Sequence, residues 1–546
     1  MLAAVTVAAA GLLVLVSAQA VWWTPLNVDE ELTLRVADFS FRHVFHIVSS
    51  ERGGGPLHFW LEHFLQGWWP GLASLRIPSL VFACLALPAV ALIARELIGD
   101  EGAAAVVVLT AVAPIPVLYA TFGRPHTLLF AWLMWGTVIA LRAARGGERL
   151  WWIAAGLVLG LSVFVHPTAP LYALTVFAAT VAYTPRELRV VLREAWPGAV
   201  ALLVGFVPYY VRTLHVLGDR YAVGSPQTHT RTFTGRPVWE DALQFVAPGP
   251  HDLNYFTVLA IAGVVGLAAL RRWRVLAFCA ITVAVPVLFF TFVPASGDSA
   301  LFFDRYMIPA TPAFMTVVVA GCLAVGGAAG RWRLAPAALL VAGLVVIELH
   351  DDNGRLRQVH SIGLDVVTNA VRHEPPGTVV FGSSGTLGVS FASFDYGHPV
   401  NLLDRYISLR VRSLEYVDDD SCARALGFVR GTAPHRGLWL FYAAGPDESA
   451  AAARALAKQR GVTVEPLDHG YFVVRSKRAL PPRALVELGR VVRLTWRSAV
   501  PQNLRVNELL QADRQLIRTP PTCKPYGELG DPGISPHWPP VKTTHQ

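Results

Sequence analysis

The chain has few charged residues and almost no lysine. Only 15% of its 546 residues are Asp, Glu, Lys or Arg, and 53% are hydrophobic, whereas an average soluble protein is about 25% charged. Its lysines are Lys458, Lys477, Lys524 and Lys542, all in the C-terminal part. Because a surface that faces lipid needs few charges, this composition argues against a soluble protein. The net charge of +8 comes from arginines in short loops, which indicates membrane topology and not nucleic-acid binding.

Cysteine is scarce too, and its spacing excludes a cysteine-based metal site. Cys84, Cys279 and Cys322 fall in apolar segments, where we expect them to be packing residues. Cys422 and Cys523 lie in the C-terminal part. We leave open whether they form a disulfide, since their separation in the sequence neither supports nor excludes one.

Hydrophobic runs recur through the first two thirds of the chain. They cover residues 4–23, 78–94, 103–120, 126–141, 150–165, 168–183, 197–211, 254–270, 275–293, 307–326 and 334–348. Each run is about the length that crosses ~30 Å of hydrocarbon as a helix. We therefore predict an α-helical polytopic membrane protein with about eleven transmembrane helices.

Arginine in the loops predicts the orientation. With the N-terminus in the cytoplasm, the cytoplasmic connections contain Arg95, Arg142, Arg145, Arg149, Arg186, Arg189, Arg193, Arg271, Arg272, Arg274, Arg331 and Arg333, as the positive-inside rule expects. The outer loop 24–77 and the C-terminal part are then extracytoplasmic. The segment Ala18-Gln19-Ala20 resembles a signal-peptide cleavage site, but no basic residues precede the apolar run. We expect an uncleaved anchor and a multi-pass protein of the plasma membrane.

The sequence changes character after the last apolar run. Residues 350–374 are predicted as an amphipathic connector that follows the membrane domain 1–349. Short β-rich runs at 377–382, 437–443 and 470–475 alternate with helical stretches at 447–460 and 482–498, which predicts an α/β domain over 375–514. The tail 515–546 is rich in proline and polar residues, a composition typical of disorder.

Ionisable residues avoid the interiors of the predicted spans and collect at their outer ends and in the outer loops. They are Asp29, Glu30, Glu31, Arg35, His58, Glu62, His63, Arg76, Arg124, His126, His166, Asp304 and Arg305. Pumps and ion-coupled transporters usually place such residues at mid-depth. The distribution therefore favours chemistry at the outer surface of the membrane.

Four short motifs follow one another over roughly residues 1–320. They are Asp29-Glu30; Pro56-Leu57-His58-Phe59-Trp60-Leu61 with Leu75-Arg76-Ile77-Pro78-Ser79; Ala94-Arg95-Glu96-Leu97 with Tyr119-Ala120-Thr121-Phe122-Gly123-Arg124-Pro125-His126; and Asp304-Arg305-Tyr306-Met307-Ile308-Pro309. This ordered set resembles the integral-membrane glycosyltransferases of the GT-C fold, in the branch of protein O-mannosyltransferases and lipid A aminoarabinose transferases. The chain departs from the pattern at Gly54-Gly55, where that family often has His-Pro.

The resemblance implies an inverting transfer of a sugar from a polyprenyl-phosphate donor to a cell-envelope glycan, lipid or protein acceptor. Asp29 matches the position of the catalytic base, with Glu30 as its helper, and Arg124 and Arg305 are the candidates for binding the donor phosphate. His58, His126, His166 and Arg76 are possible substrate contacts, although an Arg or His at a helix end is often structural. A divalent metal ion that bridges Asp29 or Glu30 and phosphate is allowed, but the sequence contains no clear ligand set for it.

Two other classes of function remain open at this point. A transporter or flippase for lipid-linked saccharides would need polar residues along a path through the membrane, and the sequence has few. A non-catalytic scaffold that presents the C-terminal domain would tolerate the loss of Asp29.

Overall fold

The fold is described from a computed structural model. It describes residues 1–23, 30, 33, 36–37, 39–52, 54–69, 72–222, 250–292, 304–327, 334–360, 370, 374–375, 377–382, 415–418, 431–442, 446–467 and 471–499. The chain divides into two compact units. The first unit combines Met1–Trp23 with Ser40–Arg357, and the second combines Thr24–Phe39 with Gln358–Gln546.

The first unit is built from helices. They are α1 (Leu2–Trp23), α2 (Phe41–His46), α3 (Pro56–Trp68), α4 (Leu72–Val112), α5 (Pro114–Ala120), α6 (His126–Gly146), α7 (Arg149–Leu161), α8 (Ala169–Tyr183), α9 (Leu188–Ala222), α10 (Pro250–Ala269), α11 (Trp273–Phe292), α12 (Thr311–Gly327) and α13 (Leu334–His360). A π-helical segment, Ile47–Arg52, follows α2, and 3₁₀ turns at Ser162–Phe164 and Asp304–Ala310 follow α7 and precede α12.

The helices confirm the prediction of a polytopic α-helical membrane protein. The segments long and apolar enough to cross a bilayer are Ala73–Val112, His126–Gly146, Leu188–Leu214, Trp273–Phe290 and Tyr306–Gly327. Shorter apolar helices cover Leu2–Ala18, Arg149–Phe164, Ala169–Tyr183, Tyr255–Ala269 and Leu334–His350. Over the described residues, the predicted apolar runs therefore coincide with helices, apart from a few residues between or at the ends of helices. The figure of about eleven crossings stays a prediction.

Helix α4 contains the predicted span 78–94 and the first part of the span 103–120, and it folds back on itself. A straight helix of its 41 residues would be about 60 Å long. Yet Leu75, near its start, packs against Gly123, while its last residue, Val112, precedes the loop 121–125 by only the short helix α5. Both ends of α4 thus lie near this loop. The reversal is at Gly99, whose φ of 86° is one that glycine adopts at little cost.

Glycines allow some of these helices to pack backbone to backbone. A Cβ atom on Gly156 of α7 would lie 1.9 Å from the carbonyl oxygen of Gly198 in α9. The pair α10 and α12 crosses in the same way, because a Cβ atom on Gly263 would lie 1.9 Å from the carbonyl oxygen of Val317. In a bilayer the hydrophobic effect does not drive helices together, so such close van der Waals packing stabilises the bundle.

The second unit contains a five-stranded mixed sheet. Its strands are β1 (Val379–Gly382), β2 (Glu415–Asp418), β3 (Gly437–Tyr442), β4 (Val462–Pro466) and β5 (Tyr471–Ser476), in the spatial order β2-β1-β3-β5-β4. Strand β1 pairs in parallel with β2 and β3, and β5 pairs antiparallel with β3 and β4. Helices α14 (Pro446–Ala457) and α15 (Pro482–Ala499) complete a core that includes Trp439, Phe441, Phe472 and Trp496.

Most of these elements match the predicted pattern. Strands β1, β3 and β5 and helices α14 and α15 lie where the sequence pattern put them. Strands β2 and β4 were not predicted, because EYVD and VTVEP are short and partly polar. The domain boundary after residue 349 stays a prediction, since α13 is continuous across it. Residues 515–546 lie outside the described residues, as do Cys422 and Cys523; Cys84, Cys279 and Cys322 are free thiols.

Candidate functional site

The loop 121–125, between α5 and α6, is held from two sides. His58 of α3 donates a hydrogen bond from Nε2 to the carbonyl oxygen of Gly123, at 3.3 Å. Ser79 of α4 donates from Oγ to the carbonyl oxygen of Arg124, at 3.4 Å. These two contacts fix the backbone from which the half-buried Arg124 extends.

His58 is a neutral imidazole in this environment. Its side chain is 2% exposed. The pKa of His58 is lowered to about 3, mainly by burial and also by the nearby charge of Arg124, while the hydrogen bond to Gly123 acts in the opposite direction. Because a carbonyl oxygen can only accept, Nε2 carries the proton and Nδ1 is left as an acceptor. His58 therefore positions the arginine loop without adding a positive charge.

The unusual pair Gly54-Gly55 has a packing reason. A Cβ atom on Gly55 would lie 2.3 Å from the carbonyl carbon of Val165 and 2.5 Å from the carbonyl oxygen of Phe164. Tyr209 of α9 donates from Oη to the carbonyl oxygen of Gly54 at 2.7 Å, and its ring lies 4.7 Å from that of Phe164. A side chain at position 55 would overlap this backbone, which explains the glycine there.

Five rings form what we call the aromatic–histidine cluster: Tyr119, His126, His166, Tyr172 and Tyr306. The ring of His126 lies 4.9 Å from that of Tyr119 and 5.2 Å from that of His166. The ring of His166 lies 5.7 Å from that of Tyr306, and Tyr306 lies near Tyr172. His126 and His166 are both buried. The structure thus brings these two histidines together, with Arg124 two residues before the first.

Arg76 makes contacts of a structural kind. It is fully buried, and its Nη1 lies 3.4 Å from the carbonyl oxygens of Ala20 and Val21. Those carbonyls belong to the last turn of α1, where helical backbone acceptors lack intrahelical donors. The interactions favour the interpretation of Arg76 as a residue that joins the start of α4 to the end of α1.

The acidic motif and the late arginine are only partly described. Asp29 lies outside the described residues. Glu30 is fully buried and belongs to the second unit, whereas His58, Arg124, His126 and His166 belong to the first. Arg305 lies in the 3₁₀ turn that begins at Asp304, and its side chain is not described. The roles of these residues stay predictions. Within the described ranges, no group of three or more His, Cys, Asp or Glu side chains is arranged to hold a metal ion.

Two tyrosines of the cluster were not among the predicted site residues. Tyr306 stands in the motif Asp304–Pro309, next to Arg305, and that position was the available signal. Tyr172 lies within the apolar run 168–183, where a single tyrosine is indistinguishable from a packing residue. Its side chain is 1% exposed, and its hydroxyl has no hydrogen-bond partner among the described residues.

Comparison with known proteins gave one family and several solved structures. Residues 55–211 match the family model described as dolichyl-phosphate-mannose-protein mannosyltransferase. ArnT from Cupriavidus metallidurans, solved bound to undecaprenyl phosphate, is 16% identical over 86% of this chain and 97% of its own, with a TM-score of 0.48. The oligosaccharyltransferase of Archaeoglobus fulgidus is 13% identical over 76% of this chain and 64% of its own, with a TM-score of 0.42. Curated protein sequences gave no match.

The matched segment contains the loop 121–125 and four members of the aromatic–histidine cluster, Tyr119, His126, His166 and Tyr172. It also contains His58 and Arg76. The match confirms the resemblance that the motifs indicated. Residues 55–211 are thus similar to the dolichyl-phosphate-mannose-protein mannosyltransferase family, and this similarity supports a membrane glycosyltransferase.

Proposed function

We propose that the protein is an inverting glycosyltransferase that uses a polyprenyl-phosphate sugar and acts at the outer face of the plasma membrane. The observation that carries the proposal is that a group of buried polar residues lies within the segment that matches the family. The buried polar residues His58, His126 and His166 and the loop of Arg124 all lie in the segment that matches the mannosyltransferase family. Buried polar groups in a membrane protein are costly and usually functional.

The proposed reaction is a single displacement. The hydroxyl oxygen of the acceptor attacks the anomeric carbon of the donor sugar as the bond from that carbon to the phosphate oxygen breaks. Asp29 takes the proton from the hydroxyl, which is general base catalysis. The electron pair of the broken bond leaves with the polyprenyl phosphate, whose charge is balanced by the guanidinium groups of Arg124 and Arg305. Glu30 assists Asp29.

The acceptor is a cell-envelope glycan, a lipid or a protein, and the second unit is extracytoplasmic in this proposal. Its sheet would then lie on the side of the membrane where the acceptor is found. If a divalent metal ion takes part, Asp29 and Glu30 are the residues that would hold it next to the phosphate.

The test is release of polyprenyl phosphate by the purified protein. The protein in lipid nanodiscs is incubated with undecaprenyl-phosphate mannose, glucose or arabinose and a cell-envelope extract as acceptor. We expect Asp29→Asn to abolish release, because an amide cannot take the proton, and to leave the melting temperature unchanged. Glu31→Gln is the matched control, since Glu31 has no assigned role. An Asn variant that keeps most of the activity would contradict the assignment, and transport of the intact donor across vesicles without cleavage would indicate a flippase.

A further inference from the structure

Tyr172 and Tyr183 lie on the same helix, α8, in opposite hydrogen-bonding situations. The hydroxyl of Tyr183 donates toward the backbone carbonyl oxygen and Oε1 of Glu96, at 3.1 and 3.2 Å. The hydroxyl of Tyr172 is buried and has no partner among the described residues. A buried hydroxyl without a hydrogen bond destabilises the folded protein, because the group has lost its contacts with water and gained none in return. Phenylalanine at position 172 would fill the same space without this cost. The presence of a hydroxyl there therefore indicates a functional role.

Polar groups hold the ring of His166, which is in contact with the ring of Tyr306. His166 Nδ1 accepts a hydrogen bond from the backbone N–H of Thr168 at 3.2 Å, and the Thr168 hydroxyl lies 2.8 Å from the same nitrogen. Since Nδ1 accepts, the proton of the His166 ring is at Nε2. Tyr306 completes the group, with its ring 5.7 Å from that of His166.

The chemistry of this group fits a hydroxyl-rich ligand better than a phosphate. A phosphate is bound mainly by guanidinium and ammonium groups. Phenol hydroxyls both donate and accept, as the hydroxyls of a sugar do, and the His166 ring offers a donor beside them. The group lies in the same bundle as the loop of Arg124, because His126 is both in contact with His166 and two residues after Arg124.

We propose that Tyr172, Tyr306 and His166 form a subsite that binds hydroxyl groups of the transferred sugar. The proposal rests on the proposed function, since it assigns the sugar end of the donor to these residues and leaves the phosphate end to the arginines. Thr168 acts as a positioning residue through its contacts with His166.

Binding by the full chain in nanodiscs tests the subsite. Two probes are compared: undecaprenyl phosphate alone, and whichever of its mannose, glucose and arabinose derivatives the wild type binds most tightly. We expect Tyr172→Phe to weaken binding of the sugar derivative about tenfold, because one hydrogen bond in a site built for a hydroxyl is lost. Binding of undecaprenyl phosphate should not change, and the melting temperature should stay the same or rise.

Tyr183→Phe is the matched control, with the same change 11 residues along the same helix. It loses hydrogen bonds to Glu96, so its melting temperature should fall while its affinity for the sugar derivative stays at the wild-type value. Tyr306→Phe is a second variant with the same expected binding result as Tyr172→Phe. If Tyr172→Phe leaves the affinity for the sugar derivative unchanged, or weakens both probes equally, the subsite is wrong. If the wild type binds and cleaves none of the sugar derivatives, the proposed function fails with it.

Discussion

At the scale of single residues, His58 links a protonation state to the position of a loop. Its pKa of about 3 lies below the usual 6.5, so the unfolded chain takes up a proton between these values that the folded protein does not. The contribution of His58 to the free energy of unfolding is therefore largest above about pH 6.5 and decreases as the pH falls toward 3.

We expect the contribution of His58 to the free energy of unfolding to fall by about 2 kcal/mol between pH 7 and pH 5. His58→Gln keeps an N–H donor for Gly123 but does not titrate, so the decrease should be smaller by that amount. Chemical unfolding in detergent at both pH values measures the difference. Equal decreases in the wild type and the variant would show that His58 is not the group responsible.

The sequence could reveal some residues of the site and not others. His58, His126, His166 and Arg124 were identifiable because a charged or imidazole side chain is conspicuous beside long apolar runs. Tyr172 was not, since a phenol in an apolar run also suits packing, and only the contacts show that its hydroxyl has no described partner. The position of Asp29 relative to these residues stays a prediction.

At the scale of helices and strands, the helices of the first unit were predictable from the sequence. A helix that crosses the membrane must be apolar over a length that the thickness of the hydrocarbon sets. The contacts between helices were not predictable. They depend on which small residues face each other, and a hydropathy profile does not indicate which side of a helix contacts a neighbouring helix. In the second unit, strands β2 and β4 were missed because they are short and partly polar, and β2 also pairs with β1, which comes from a distant part of the sequence.

The crossing of α7 and α9 gives a prediction at this scale. Gly156→Ala should lower the free energy of unfolding by about 1–3 kcal/mol, since the new methyl group would overlap the carbonyl oxygen of Gly198 and force the helices apart. Gly343→Ala on α13 is the control, because nothing lies within 4 Å of its Cβ position. The melting temperatures of both variants are measured in detergent, and only that of Gly156→Ala should fall. An unchanged value for Gly156→Ala would mean that the helices do not pack closely there.

At the scale of the whole molecule, the orientation in the membrane can be tested with single cysteines. In a variant whose native cysteines are replaced, Lys458→Cys should react with an impermeant maleimide in intact cells, because the second unit is proposed to be extracytoplasmic. Arg189→Cys should react only after lysis, since residue 189 is in the first turn of α9, an end that is predicted to be cytoplasmic. Both positions are exposed. The reverse pattern of labelling would contradict the predicted topology.

The reversal at Gly99 has a consequence for how the chain enters the membrane during synthesis. The halves of α4 on either side of Gly99 emerge from the ribosome one after the other and are joined without a soluble loop. Because no loop separates the two halves, the position of one in the membrane restricts the position of the other. We therefore infer that they insert together as a helical hairpin. A side chain at position 99 would then matter first during biogenesis, by favouring one long helix that the bilayer cannot accommodate.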